Sequence, residues 1–145
     1  MMYLLDTNVV SESRKAYRKR TGAAKLDLNV QKWFASVDAS SLYLSAISIL
    51  ELEIGCLLLE RRDAAQGSVL RRWLRDRVLP AFAERILPVD VAVAQRCAVL
   101  HVPNPLEDRD SLIAATALVH GMTVVTRNTA HFQRAGVVLL NPWQL

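Results

Sequence analysis

The sequence predicts an α/β fold in three layers, with a central, mostly parallel sheet of about five short strands flanked by helices. Short apolar segments alternate along the chain with longer segments in which apolar residues recur every three or four positions. Such an alternation requires helical crossovers between parallel strands. Because no linker, repeat or low-complexity segment interrupts the 145 residues, we expect a single domain over residues 1–145.

The predicted strands are short, and polar residues or turns follow them. The first strand stops abruptly at Asp6, which is followed by a hydroxyl and an amide side chain, Thr7 and Asn8. In an open parallel sheet, ligands bind just beyond the carboxyl ends of the strands. Asp6 is therefore a candidate site residue, although an Asp at this position can equally cap the following helix. The strands are predicted at residues 2–5, 42–44, 86–89, 123–126 and 137–140.

Helices are predicted between these strands, and the basic segment at residues 14–27 is predicted to be a mobile loop. Pro80 should kink or split the helix in which it lies. We expect Asp90 to cap one helix and Gly121 to end another. The predicted helices span residues 7–13, 28–37, 47–62, 64–85, 91–100 and 110–120.

Composition limits the classes of function. Apolar residues make up 52% of the chain, which argues against disorder, and the longest apolar run is too short to span a bilayer. No signal peptide precedes Asp6, so a cytoplasmic location is expected. Cys56 and Cys97 lack paired spacing and are expected to be buried free thiols. The net charge of +4 is a mild indication of an acidic partner such as nucleic acid.

Glu51 lies near the start of a helix whose neighbouring residues are apolar. It either points into a site or faces solvent, as Glu53 would. Gly55 follows one turn later on the same face. A glycine inside a helix costs roughly 1 kcal/mol relative to alanine, so Gly55 suggests close approach of a backbone segment or a ligand.

Asp110 opens a helix that is otherwise apolar, and Asp108 lies two residues earlier. One of the two is expected to be a ligand and the other a cap or a supporting group. With Asp6 and Glu51 they describe an all-oxygen site, which suits Mg²⁺ or Mn²⁺. The histidines have no zinc spacing, and the sequence contains neither a glycine-rich phosphate loop nor a Gly-x-Ser-x-Gly motif.

Four motifs occur in order along the chain. They are Asp6-Thr7-Asn8, Ser48-x-x-Glu51-x-x-x-Gly55, Asp110-x-x-Ile113-Ala114-Ala115-Thr116-Ala117 and Thr126-Arg127-Asn128-x-x-His131-Phe132. In this order they resemble PIN-domain proteins and, more narrowly, the VapC and FitB-type toxins of bacterial toxin–antitoxin pairs. The resemblance covers essentially the whole chain. It implies a Rossmann-like PIN fold and a metal-dependent endoribonuclease toxin of a type II toxin–antitoxin system, with Mg²⁺ or Mn²⁺ as cofactor.

The resemblance also implies roles for individual residues. Asp6, Glu51 and Asp110 match the catalytic, metal-binding acids of the family. The fourth acidic position falls at about Asn128, and the acid often found before the phenylalanine is His131 here, so one negative charge is missing. Residues expected to support the site or to position the substrate are Thr7, Asn8, Ser48, Asp108, Thr126 and Asn128.

The implied partners are RNA, a cognate VapB- or FitA-like antitoxin and a second copy of the chain in a homodimer. Basic residues could bind the RNA backbone, although a run of charge is often only a solvated surface. The candidates for this contact are Arg14, Lys15, Arg18, Lys19 and Arg20.

Two other functions are alternatives to the endoribonuclease. A degenerate PIN module that binds RNA or a protein partner without cleaving is favoured by Asn128 and His131. A phosphatase of the haloacid-dehalogenase type is disfavoured because it needs a second Asp two residues after the first, where this chain has Asn8.

Overall fold

The sheet of the protein confirms the predicted α/β fold. The computed structural model describes residues 1–17 and 25–145. Its strands are β1 (Tyr3–Leu5), β2 (Leu42–Ser45), β3 (Ile86–Leu87), β4 (Thr123–Val125) and β5 (Leu139–Leu140). They lie in the order β3-β2-β1-β4-β5, and every pairing among the described residues is parallel. The strands predicted at residues 86–89 and 137–140 are shorter than expected.

Helices connect the strands as the alternation predicted. They are α1 (Thr7–Tyr17), α2 (Leu28–Ser36), α3 (Ala46–Arg62), α4 (Ala64–Trp73), α5 (Leu79–Ala81), α6 (Val91–Leu100), α7 (Asp108–His120) and α8 (Thr129–Phe132). The predicted caps are confirmed: Asp90 accepts a hydrogen bond from the amide of Val93, and Gly121 ends α7 with a left-handed φ of 65°. No helix in the described ranges is long and apolar enough to cross a membrane.

Two helix boundaries differ from the prediction by more than two residues. The first helix was predicted to end at Ser13, but α1 continues to Tyr17, so the start of the predicted basic loop is helical. Residues 18–24 of that loop lie outside the described part of the chain, and residues 25–27 belong to no helix or strand. The helix predicted at residues 64–85 ends near Ala81 and contains a π-helical segment, Leu74–Val78. The Leu79 amide donates to Leu74 O, and Pro80, which has no amide hydrogen, follows directly. The hydrogen-bond pattern of the helix therefore changes to the π-helical one where Pro80 was predicted to kink or split it.

The core lies on both faces of the sheet because successive side chains of a strand point to opposite sides. Leu4 and Val124 pack in a cluster with residues of α7 and α8. Leu5 and Val125 pack in a second cluster with residues of α1, α2, α3 and α4. All four side chains are almost completely buried. The sheet is therefore a rigid platform for the residues that follow its strands.

The prediction that Gly55 allows close approach of another backbone segment is wrong for the described residues, whereas approach of a ligand stays a prediction. A Cβ atom built on Gly55 has no heavy atom within 4 Å. The close approach occurs instead at Gly67 of α4, where a Cβ would lie 2.5 Å from Glu60 Cα of α3. Arg71 joins the same two helices by ion pairs with Glu53 and Glu60.

Candidate active site

The candidate site lies where the order of the strands changes direction. From β1 the chain proceeds outward to β2 and β3, and then returns to β4 on the other side of β1. Ligands of open α/β sheets bind at such a switch point, beyond the carboxyl ends of the strands. Asp6 follows β1 and Thr126 follows β4, and their amides continue the sheet by donating to Val125 O and Leu140 O. Two polar side chains are thereby fixed at one edge of the sheet.

Asp6 is buried and is held by three donors. Its Oδ2 accepts hydrogen bonds from Thr126 Oγ1 at 2.7 Å and from Asn8 Nδ2 at 3.3 Å, and its Oδ1 accepts from the Thr7 amide at 2.8 Å. A helix cap would bond the second or third amide of the helix, as Asp27 does in α2. Burial raises the pKa of Asp6, although the bonds from Thr126 and Thr7 oppose the shift. The contacts of the Asp6 carboxylate therefore differ from those of a simple helix cap.

Glu51 of α3 is directed toward the same edge of the sheet. Its Oε1 accepts a hydrogen bond of 2.7 Å from Thr7 Oγ1, and its Oε2 lies 3.8 Å from Arg109 Nη1 of α7. Its side chain is 26% exposed. Glu53, by contrast, pairs with Arg71 on the α3–α4 side. Of the two alternatives left open by the sequence, the structure favours the one in which Glu51 lies at the site.

Asp110 of α7 is half-buried near the other acids. Its Oδ2 lies 3.3 Å from His131 Nδ1. Its pKa is raised, first by burial and then by the negative charges of Glu107 and Asp6, with a smaller contribution from Glu51. The negative charges of Asp6 and Glu51 thus both act on Asp110.

Asp108 does not cap α7, which was one of the roles that the sequence left open for it. The helix begins two residues earlier than predicted, and Glu107 caps it by accepting from the Asp110 amide at 2.7 Å. Asp108 is exposed, and its recorded contact is made by its main-chain oxygen, which accepts from Ser111. Glu107 and Arg109 were missed as neighbours of the site, because their positions depend on where α7 starts. An acid at Glu107 before an acidic first turn was the available signal.

The remaining polar candidates, Asn8, Ser48 and Asn128, differ in their contacts with the site. Asn8 bonds both Asp6 and Thr126, and its Oδ1 accepts from the Arg127 amide. Ser48 is fully buried, and its Oγ has no hydrogen-bond partner among the described residues. Asn128 is exposed, and among the described residues it reaches the site through its main-chain amide, which donates to Thr126 Oγ1. His131, by contrast, contacts Asp110 with its side chain.

The basic residues proposed to bind RNA are only partly described. Arg14 lies 6.0 Å from the centre of the Trp73 ring, and Lys15 pairs with the buried Glu12 at 3.0 Å. Both cations are therefore engaged within the protein. The other three candidates, Arg18, Lys19 and Arg20, lie outside the described residues.

The carboxylates are not arranged as a preformed metal-binding site. Within residues 1–17 and 25–145, no three His, Cys, Asp or Glu side chains are grouped so that they could hold a metal ion. The donors nevertheless fit Mg²⁺ or Mn²⁺, since all are oxygens and Mg²⁺ usually takes one or two carboxylates and keeps several waters. Burial and then the negative charges of Glu107 and Asp6 raise the pKa of Asp110, and a bound cation would offset both effects. The buried Ser48 hydroxyl has no hydrogen-bond partner among the described residues.

Known proteins of one family resemble the chain over nearly its whole length. The chain matches the PIN domain family over residues 3–138. It is 36% identical to VapC ribonuclease Y4jK of Sinorhizobium fredii, with 99% of each chain covered, and 37% identical to Toxin FitB of Neisseria gonorrhoeae, with 98% and 99% covered. The crystal structure of FitAcB from Neisseria gonorrhoeae contains a chain that superposes with a TM-score of 0.86 at 38% identity, covering 99% of this chain and 100% of that one. The chain therefore belongs to the PIN-domain family.

Proposed function

We propose that this protein is a metal-dependent endoribonuclease that hydrolyses RNA phosphodiester bonds, the toxin of a type II toxin–antitoxin system. The observation that carries the proposal is the position of Asp6 at the switch point of the sheet, joined to Glu51 through Thr7 and close enough to Asp110 to act on its charge. It is supported by relatives named VapC ribonuclease and Toxin FitB, which are similar over nearly their whole length.

Asp6, Asp110 and Glu51 would hold Mg²⁺ or Mn²⁺, in part through water. When bound, such an ion lowers the pKa of a bound water and stabilises negative charge on the phosphate and the leaving oxygen. Thr126 and Asn8 keep the Asp6 carboxylate in one orientation. Thr7 does the same for Glu51, and the guanidinium of Arg109 beside Glu51 supplies positive charge where the phosphate would arrive.

The proposed partners are a VapB- or FitA-like antitoxin and a second copy of the chain. The likeness to Toxin FitB and to the FitAcB structure supports a FitA-like partner. Exposed leucines on α3 (Leu50, Leu57 and Leu58) support a protein contact on that helix. We place the protein in the cytoplasm, where its RNA substrates are.

The test is a cleavage assay with the chain purified free of any antitoxin. Structured RNA is incubated with the wild type, with Asp6→Asn and with Glu84→Gln, each with Mg²⁺, with Mn²⁺ and with chelator. Glu84 is a matched control because it is exposed and precedes β3, at the opposite end of the strands. We expect cleavage by the wild type and by Glu84→Gln only when metal is present. Equal cleavage by Asp6→Asn, or cleavage that the chelator leaves unchanged, would refute the metal-nuclease proposal.

A second candidate function is a PIN module that binds RNA without cleaving it. The observation that favours it is the contact between His131 and Asp110, because a histidine stands where an additional acid is expected. Tight RNA binding without cleavage at saturating Mg²⁺ and Mn²⁺ would favour this function over the nuclease.

A further inference from the structure

A cavity of about 370 Å³ opens beside Asp110, between the loop before α7 and the helix α8. One part of its wall is apolar and is formed by Pro105, Leu106 and Ala130. This volume lies in the range of small-ligand pockets, roughly 300–1,000 Å³. The cavity thus has room for a ligand of moderate size directly next to one of the candidate metal-binding acids.

The polar part of the wall carries charges of both signs. Arg134 is exposed, and in the described part of the chain it forms no ion pair with an acidic residue. A guanidinium in this situation binds phosphate well, because its planar donors match the phosphate oxygens. Glu107 and Asp110 lie on the same wall and would repel a phosphate, so the phosphate belongs on the Arg134 side.

A flat, partly apolar ligand fits the rest of the cavity. The ring of Pro105 and the side chains of Leu106 and Ala130 offer an apolar surface for the face of a base. The exposed carboxylate of Glu107 can accept a hydrogen bond from an exocyclic amino group, as carboxylates do from the amino group of cytosine. Uracil has no such group.

We propose that this cavity is a subsite for one nucleotide of the RNA substrate, next to the bond that is cut. Arg134 binds a flanking phosphate, the base lies against Pro105, Leu106 and Ala130, and Glu107 favours bases that carry an exocyclic amino group. The assignment of the ligand as RNA rests on the proposed function, whereas the cavity and its charges do not.

The first experiment measures RNA cleavage in Mg²⁺ under single-turnover conditions for four variants. Arg134→Ala should raise the half-saturating RNA concentration about tenfold and leave the maximal rate within about twofold, because the arginine binds a flanking phosphate and not the phosphate that is cut. Arg134→Lys should recover part of the loss, since it keeps the charge but not the planar fork. Ala130→Leu, which narrows the cavity without removing a charge, should weaken binding similarly. Arg62→Ala is the control, since Arg62 lies eleven residues beyond Glu51 in α3, about 16 Å along the helix.

The second experiment needs no cleavage. Cytidine and uridine 5′-monophosphates are titrated into metal-free wild-type protein, and amide resonances are followed by NMR. Cytidine monophosphate should shift the resonances of Leu106, Glu107, Ala130 and Arg134, and uridine monophosphate should do so more weakly. If RNA is cleaved but Arg134→Ala and Ala130→Leu leave half-saturation unchanged, the subsite is refuted while the nuclease stands. If the nucleotide shifts these resonances but no RNA is cleaved under any condition, the subsite is supported and the proposed function fails.

Discussion

The Thr126 hydroxyl donates a 2.7 Å hydrogen bond to Asp6 Oδ2 and so joins the ends of two neighbouring strands. The same hydroxyl accepts from the Asn128 amide at 3.0 Å and from Asn8 at 3.3 Å. One fully buried oxygen therefore fixes the carboxylate, the amide beside it and the turn that leads into α8. We regard Thr126 as the residue that sets the orientation of Asp6.

Thr126→Val should destabilise the fold by about 1.5–3 kcal/mol at neutral pH, since it removes a donor to a buried charged group with little change in shape. The Thr126 bond opposes the burial that raises the pKa of Asp6, so the variant should raise this pKa further. A carboxyl group with a raised pKa costs stability above that pKa, and the cost disappears as the pH falls below its ordinary value. Urea unfolding across pH should thus show a deficit that shrinks in acid. Thr126→Ser should behave like the wild type, and a deficit independent of pH would contradict the argument.

Asp110→Asn should raise the melting temperature of the metal-free protein at neutral pH by about 2–5 °C, because it removes a charge that burial, Glu107 and Asp6 all disfavour. Added Mg²⁺ should stabilise the wild type by mass action but not this variant. Asp108→Asn, on an exposed residue of the same turn, should change neither quantity. Equal stabilisation of wild type and Asp110→Asn by Mg²⁺ would place the metal elsewhere.

The missing acid can be restored at two positions, and the structure distinguishes between them. Both residues are exposed, but the side chain of His131 contacts Asp110, whereas among the described residues Asn128 reaches the site through its main-chain amide. His131→Asp should therefore lower the Mn²⁺ concentration that gives half-maximal thermal stabilisation by roughly tenfold, and Asn128→Asp should do so by less. A larger effect at Asn128 would show that its side chain turns toward the metal when the site is occupied.

Local sequence signals were sufficient for the parallel sheet and for Asp6, which is marked by the abrupt end of an apolar strand. They left Asp108 and Asp110 as alternatives, and only the resemblance to the family selected Asp110. Contacts between helices were not predictable in this way. The pairing of Arg109 with Glu51 depends on how α7 meets α3, and the contact of His131 with Asp110 depends on where α8 lies. Such distances are fixed by tertiary packing, which periodicity and capping do not encode.

The glycines of α3 and α4, Gly55 and Gly67, test whether tertiary packing decides where a helix needs a glycine. Gly55→Ala should stabilise the protein by about 0.5–1 kcal/mol, because the new methyl group has open space and alanine favours the helix. Gly67→Ala should destabilise it by about 1–3 kcal/mol, since its Cβ would lie 2.5 Å from the main chain of Glu60 and would force α3 and α4 apart. Urea unfolding of the two variants beside the wild type measures both changes, and each variant is the control for the other. Destabilisation by Gly55→Ala would mean that another segment or molecule does approach α3 at that point. Tolerance of alanine at Gly67 would mean that the two helices can separate at little cost.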